Sequence, residues 1–338
     1  MKAASAGPAA ARVRKARLDT AAELVKLRAD ALLLAGDTFE DNGVDRALVD
    51  QVAAILARFD GPVFVLPGNH DPLVPGSVWD HPAWAQYNNI TVIREAKAYA
   101  LDGATLLAAP LKETHSRLDP TTWLDAAHRP PGIVIAMSHG TVEGIDPDTE
   151  HHPIAARKRE GIHYLALGHW HSTAIYHDGA MAYSGTHETT KFGERDSGNV
   201  LRVIVGEANA IERIPTGRLR WESIDEEIRH PGELDTLRTK LLTLPTESLV
   251  RVKLRGLLHA ADASILNHID DIGQRFLHFT ADTEYLLPAN DAAWFESLPS
   301  GAVQLAATRL RELAERGDTT AAEALLELQS IAAQVGVA

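Results

Sequence analysis

ALLLAGDTFE, residues 31–40, is an apolar run that ends abruptly in Gly36 and Asp37. Such a run reads as a short strand buried on both faces, of the kind found in sheets covered by helices. Val44, Leu48, Val52, Ile55 and Phe59 then recur at helical spacing, and PVFVL at 62–66 gives a second strand. Strand, helix, strand predicts an α/β layered domain.

The pattern extends both ways from this unit. Leu18, Ala21, Ala22 and Val25 place a first helix within 13–29, with Thr20 and Glu23 as its capping box. Downstream come TVI at 91–93, a hairpin in AYALDGATLLAAP turning at Asp102-Gly103, and the strands GIVIAMS and HYLAL. AIY and AMAYS flank His177-Asp178-Gly179, and NVLRVIVG with AIERI forms another hairpin, so a first domain spans 1–214. Residues 215–290 read as a small α+β module, with a helix in 231–244, the alternating strand LVRVKLRG, a helix in 261–275 and a strand near FLHFTADTEYLL. Residues 291–338 read as a helical tail, with Val303, Ala306, Leu310 and Leu313 on one stripe, a stop at Gly317 and a capping box at Thr320 and Glu323.

Composition narrows the chemistry. The 338-residue chain has no cysteine, which removes disulfides, thiolate metal sites and cysteine nucleophiles, and fits a reducing, cytoplasmic compartment. No apolar run approaches the roughly 20 residues that span a bilayer. A net charge of -13 means that polyanions are repelled overall, so nucleic acid would need a local basic groove or bound metal. The first eighteen residues are basic and free of acids; they read as an approach to the first helix, with a transit peptide as the alternative.

Four polar clusters stand at strand ends: Gly36-Asp37 after ALLLA, Gly68-Asn69-His70-Asp71 after FVLP, His139-Gly140 after IVIAMS, and Gly168-His169-Trp170-His171 after YLAL. Sites in open α/β sheets form outside the carboxyl ends of strands, so the four clusters should converge on one crevice. Imidazole, carboxylate and amide oxygen without sulfur suit hard or borderline divalent metals. Glycines beside them let the backbone turn sharply and approach closely.

In order, GDTFED, PGNHD, SHG and GHWH resemble the calcineurin-like metallophosphoesterase superfamily. More narrowly, AAPL at 108–111, SHGTVEG at 138–144, LALGHWHS and YSGTHETTKFGERDSGNV are similar to the SbcD-type DNA exonucleases. The likeness covers roughly residues 18–215 by motif and the following module only by layout, as a capping domain. It implies a four-layer αββα phosphoesterase domain, two divalent ions, commonly manganese, and a metal-dependent DNA phosphodiesterase. It also implies an SbcC-type or AAA-like ATPase partner and a homodimer. By this resemblance Asp37 bridges two ions; Asn69, His139 and His169 complete one, and His171 binds the other. His70 acts near the leaving oxygen with Asp71 orienting its ring, and Glu40 stands behind the ligands.

The superfamily opens with a strand ending in Asp-x-His, yet no histidine precedes His70. The domain is therefore expected to lack its first strand, through a start that omits it, a real loss, or ligands supplied from elsewhere. One ion should bind firmly, held by Asp37, Asn69, His139 and His169, and a second weakly through Asp37 and His171. The alternatives to a DNA nuclease are a phosphoesterase of small nucleotides or phosphomonoesters and a non-catalytic subunit that binds DNA or an ATPase.

Other residues are expected to play smaller parts. His187, in the loop GTHE, is a candidate for substrate contact, as are Arg251, Lys253 and Arg255, which share one face of a strand. That face is equally readable as solvated, and Arg157, Lys158 and Arg159 read as a solvated helix end. His81, His115, His128, His151, His152, His163, His177, His230, His259, His268 and His278 lack a strand-end context and read as surface or supporting residues.

Overall fold

The computed structural model describes residues 10–145, 151–258, 262–288 and 292–334; His259 and the first nine residues lie outside them. Contacts divide the chain into two units, Met1–Leu219 and Arg220–Ala338.

The first unit begins with α1 (Ala10–Leu24), β1 (Leu32–Leu34), α2 (Arg46–Leu56), β2 (Val63–Val65) and β3 (Ile90–Val92). The three strands form one parallel sheet in the order β1-β2-β3. Asp45 caps α2 by accepting from the Ala47 amide at 2.9 Å. The expected capping box of α1 does not form. Alanine-rich residues 10–16, good helix formers, carry the helix upstream, so Thr20 lies inside it and donates to Glu188 Oε1 at 2.6 Å.

The second sheet is built from β4 (Lys97–Leu101), β5 (Ala104–Ala108), β6 (Ile133–His139), β9 (Tyr164–Gly168), β10 (Ala174–Tyr176) and β11 (Met181–Tyr183). Between them lie α3 (Trp123–Ala126) and the short pair β7 (Thr141–Val142) and β8 (Pro153–Ile154). Its order is β10-β11-β9-β6-β5-β4, with antiparallel strands only at the edges. Gly103, at φ 71°, makes the expected β4–β5 turn. β12 (Asn199–Ile204) and β13 (Ala210–Pro215) form the remaining hairpin.

Period-two alternation stacks the layers. Leu33, Phe64 and Leu66 of the first sheet meet Leu106, Ala108, Ile135 and Met137 of the second. The other face of the first sheet packs on α1 and α2 through Val49, Ala53, Val63 and Val65. Val134, Ala136 and Leu107, on the other face of the second sheet, pack against Leu124 of α3 and against Val142 and Ile154. Each fully buried Val, Leu, Ile, Phe or Met side chain among these contributes about 1.5–3 kcal/mol. The fourth layer is thin, a single turn of helix with the β7–β8 pair. Among the described residues β1 is paired on one side only, and its leucines are half-buried, whereas Val63–Val65 are fully buried.

The second unit holds β14 (Arg220–Ile228), α4 (Glu233–Thr243), β15 (Ser248–Leu258), α5 (Ala263–Gly273) and β16 (His278–Pro288). All three strands are parallel, so the expected α+β module is a βαβαβ unit. β14 escapes a sequence reading because only Ile224 and Ile228 of RWESIDEEI are deeply buried. α6 (Ala292–Ser297), α7 (Ala302–Glu315) and α8 (Thr319–Gln334) follow. Asp318, rather than Thr320, caps α8 by accepting from the Ala321 amide at 3.1 Å, and α7 buries Ala307 while Val303 stays exposed. Arg157–Arg159 form no helix end, and Arg159 is buried against Thr121 and Asp119. No helix among the described residues is long and apolar enough to cross a membrane.

Candidate metal centre

The four strand-end clusters meet. After β1 the chain turns through Gly36 (φ 97°) and Asp37 (φ 53°), which directs the Asp37 carboxylate across the sheet ends. Asp37 Oδ2 lies 3.2 Å from His139 Nε2, at the end of β6. Asn69 Oδ1, following β2, lies 2.8 Å from His139 Nε2 and 3.0 Å from His169 Nδ1, following β9. Asp37, His139 and His169 each bring a ligand atom within 4.8 Å of the others. Ligand atoms of an octahedral ion at about 2.1 Å sit roughly 3 Å apart, which is the spacing these groups show.

The backbone around them leaves no spare room. A Cβ on Gly36 would stand 2.1 Å from His139 Nδ1, one on Gly68 2.2 Å from Asp37 Oδ1, and one on Gly168 1.7 Å from the Ala35 carbonyl oxygen. These three glycines are required by close approach.

Hydrogen bonds set the tautomers. His139 Nδ1–H donates to the Ala35 carbonyl at 2.7 Å, which leaves Nε2 as the atom that faces Asp37 and Asn69 and that would bind an ion once deprotonated. Burial pushes the His169 imidazole down to about 3, reinforced by the neighbouring His139 ring, which keeps it neutral as a ligand must be. Burial pushes the Asp37 carboxyl up, but the His139 ring and the His70 amide outweigh it and hold the group well below the usual carboxylate range. The His139 ring is raised in return by Asp37, against its own burial. Neutral imidazoles, a carboxylate and an amide oxygen fit a divalent cation in size, charge and chemistry.

A family model for calcineurin-like phosphoesterases matches residues 13–173. Residues 13–173 are a calcineurin-like phosphoesterase domain. A search of curated proteins found no match.

Within this phosphoesterase domain the remaining expected residues fall into distinct places. His70 is exposed; its amide donates to Asp37 Oδ1 at 3.0 Å and its Nδ1–H to the Glu40 carbonyl at 3.0 Å. Nε2 of His70 therefore faces outward with its lone pair. Asp71 does not orient that ring. It is fully buried and accepts from the Phe39 amide at 2.9 Å and the Gly68 amide at 2.7 Å, tying the two ligand loops together. Burial, then the charge of Asp37, raise its carboxyl to about 6.

His171 is not one of the residues grouped within 4.8 Å about Asp37; its Nδ1 lies 2.7 Å from Glu194 Oε1 and 3.0 Å from Thr190 Oγ1. Glu194 was not legible in the sequence as a site residue, since it lies well along the loop that follows β11 rather than at the strand end itself. Donation from Nδ1 leaves Nε2 of His171 able to bind an ion. His187, expected near substrate, spends Nε2–H on the Arg17 carbonyl at 3.2 Å and so anchors α1.

In the second unit Arg251, Lys253 and Arg255 do share one face of β15. Across the strands they stand beside Ser223, Asp225, Glu227 and Asp282, and Arg255 Nε lies 3.8 Å from Glu227. Three positive charges thus meet three negative ones on one face, which matches a solvated strand better than a basic groove.

Proposed function

We propose that the chain is a metal-dependent phosphodiester hydrolase acting on DNA, of the SbcD type. The observation that carries the reading is the convergence of Asp37, Asn69, His139 and His169 at ligand spacing beneath an exposed His70. A divalent ion held there would supply Lewis acidity to the phosphoryl group and to an attacking water. Asn69 stands between the His139 and His169 rings, and Asp37 lies against His139. His70 Nε2 is placed to exchange a proton with substrate at the rim, while the Glu40 carbonyl holds its ring. Asp71 keeps the loops of Asp37 and Asn69 in register. The motifs SHGTVEG and GHWHS support DNA as substrate, and the same resemblance supports manganese, an SbcC-type or AAA-like ATPase partner and a homodimer.

A second reading, a binding subunit without catalysis, is favoured by the close grouping of only Asp37, His139 and His169 among the described residues, without His171. Manganese-dependent hydrolysis of single- and double-stranded DNA, of a small phosphodiester and of a phosphomonoester separates the cases. Cleavage of DNA that disappears in His70→Ala supports the nuclease; cleavage of the monoester alone supports a small-substrate phosphoesterase; no cleavage supports the binding subunit.

A further inference from the structure

Four imidazoles run outward from the metal centre: His139 to His169 at 5.4 Å between ring centroids, His169 to His151 at 5.8 Å, and His151 to His115 at 4.9 Å. The first two are ligands in the proposed site; the outer two have no part in it. Neither outer ring follows a strand end, and both are held by backbone. His151 bridges to Ser116 as an isolated β-pair, and the His152 amide donates to the Ser116 carbonyl at 2.9 Å. Thr141 donates to the carbonyls of His151 and His152, and a Cβ on Gly140 would lie 2.2 Å from the His152 carbonyl oxygen. His152 holds the left-handed conformation (φ 51°), and its Nε2–H donates to the Glu113 carbonyl. The segment carrying His151 is thus wedged between the loop after His139 and the loop that carries His115.

Nδ1 of His151 is buried and has no hydrogen-bond partner among the described residues. A bare acceptor is tolerated there more easily than a stranded donor, so the proton belongs on Nε2. His151 therefore offers an N–H donor next to the exposed ring of His115, which belongs to the segment KETHSR with Lys112, Glu113 and Arg117. This is the chemistry of an oxyanion contact.

We propose that His151 and His115 form a second phosphate subsite beside the metal centre, holding a phosphate of the substrate other than the one cleaved. The proposal rests on the phosphodiesterase reading and selects polynucleotides over substrates with a single phosphate. The test compares KM and kcat for a single-stranded oligonucleotide and for bis(4-nitrophenyl) phosphate in the parent, His151→Ala, His115→Ala and His151→Gln, which keeps a donor near Nε2. His151→Ala should raise KM for the oligonucleotide roughly tenfold more than KM for the small diester, with partial recovery in His151→Gln. Equal rises for both substrates, or none, would overturn the subsite. Should the parent cleave neither, the phosphodiesterase reading fails, and fluorescence anisotropy of the labelled oligonucleotide with manganese decides the subsite. Binding weakened in His151→Ala and restored in His151→Gln supports it; equal binding in all chains overturns it.

Discussion

Gly68→Ala is a single-methyl perturbation of the metal centre. Gly68 has no left-handed φ, so alanine is tolerated by the backbone and the effect isolates contact. The new Cβ would lie 2.2 Å from Asp37 Oδ1 and 2.3 Å from the Asp37 amide nitrogen, over 1 Å inside an ordinary contact of about 3.4 Å. Relief requires Asp37 to withdraw, which breaks its 3.2 Å approach to His139 Nε2. Overpacking of this kind costs about 1–3 kcal/mol, and disturbing a ligand's support lowers metal affinity about 10–100-fold. With manganese at about 100 times the parent Kd, binding stabilises the parent by about 2.7 kcal/mol; a tenfold weaker site gives about 1.4 kcal/mol. Denaturant unfolding with and without manganese measures both quantities. A Gly68→Ala chain that keeps the full manganese-dependent stabilisation would refute the assigned contact between Gly68, Asp37 and the ion.

Other substitutions probe separate parts. His70→Ala should lower the turnover of DNA by about 10²–10⁴-fold, as loss of an acid-base group does, and an undiminished rate would remove His70 from the chemistry. Asp71 is buried with its pKa raised from 3.8 to about 6, so its stabilising contribution is complete below pH 3.8 and is lost as pH rises through 6. In the metal-free chain that loss is roughly 3 kcal/mol, to be read from unfolding at pH 4 and pH 7; an identical profile in Asp71→Asn would reject the assignment. Thr20→Val removes the bond to the buried Glu188, which also accepts from the Arg218 and Leu219 amides, and should cost about 1.5–3 kcal/mol in denaturant unfolding.

What was legible in the sequence follows from what the physics writes locally. PVFVL, GIVIAMS and HYLAL announce themselves because strands covered on both faces need continuous apolar runs, ALLLAG shares the pattern although its leucines are half-buried, and the ends of all four carry the candidate ligands. β14 was hidden because one face of its sheet is solvated and its residues are mostly charged. Thr20 misled because a helix start depends on residues upstream as well as on a capping pattern. The candidate ligands Asp37, Asn69, His139 and His169 could be named, but not the groups that support them. Glu194 behind His171 and the Glu40 carbonyl behind His70 are joined to them only by loop geometry. The same holds for His151 beside His169, since imidazoles eighteen residues apart meet only after the β7–β8 pair forms.

Elemental analysis of manganese per chain, after loading and removal of free metal, tests the centre most directly. The parent should retain one tightly bound ion, with a second lost on washing, and Asp37→Ala and His139→Ala should retain none. Retention of the ion by both variants, or its absence from a folded parent, would contradict the site.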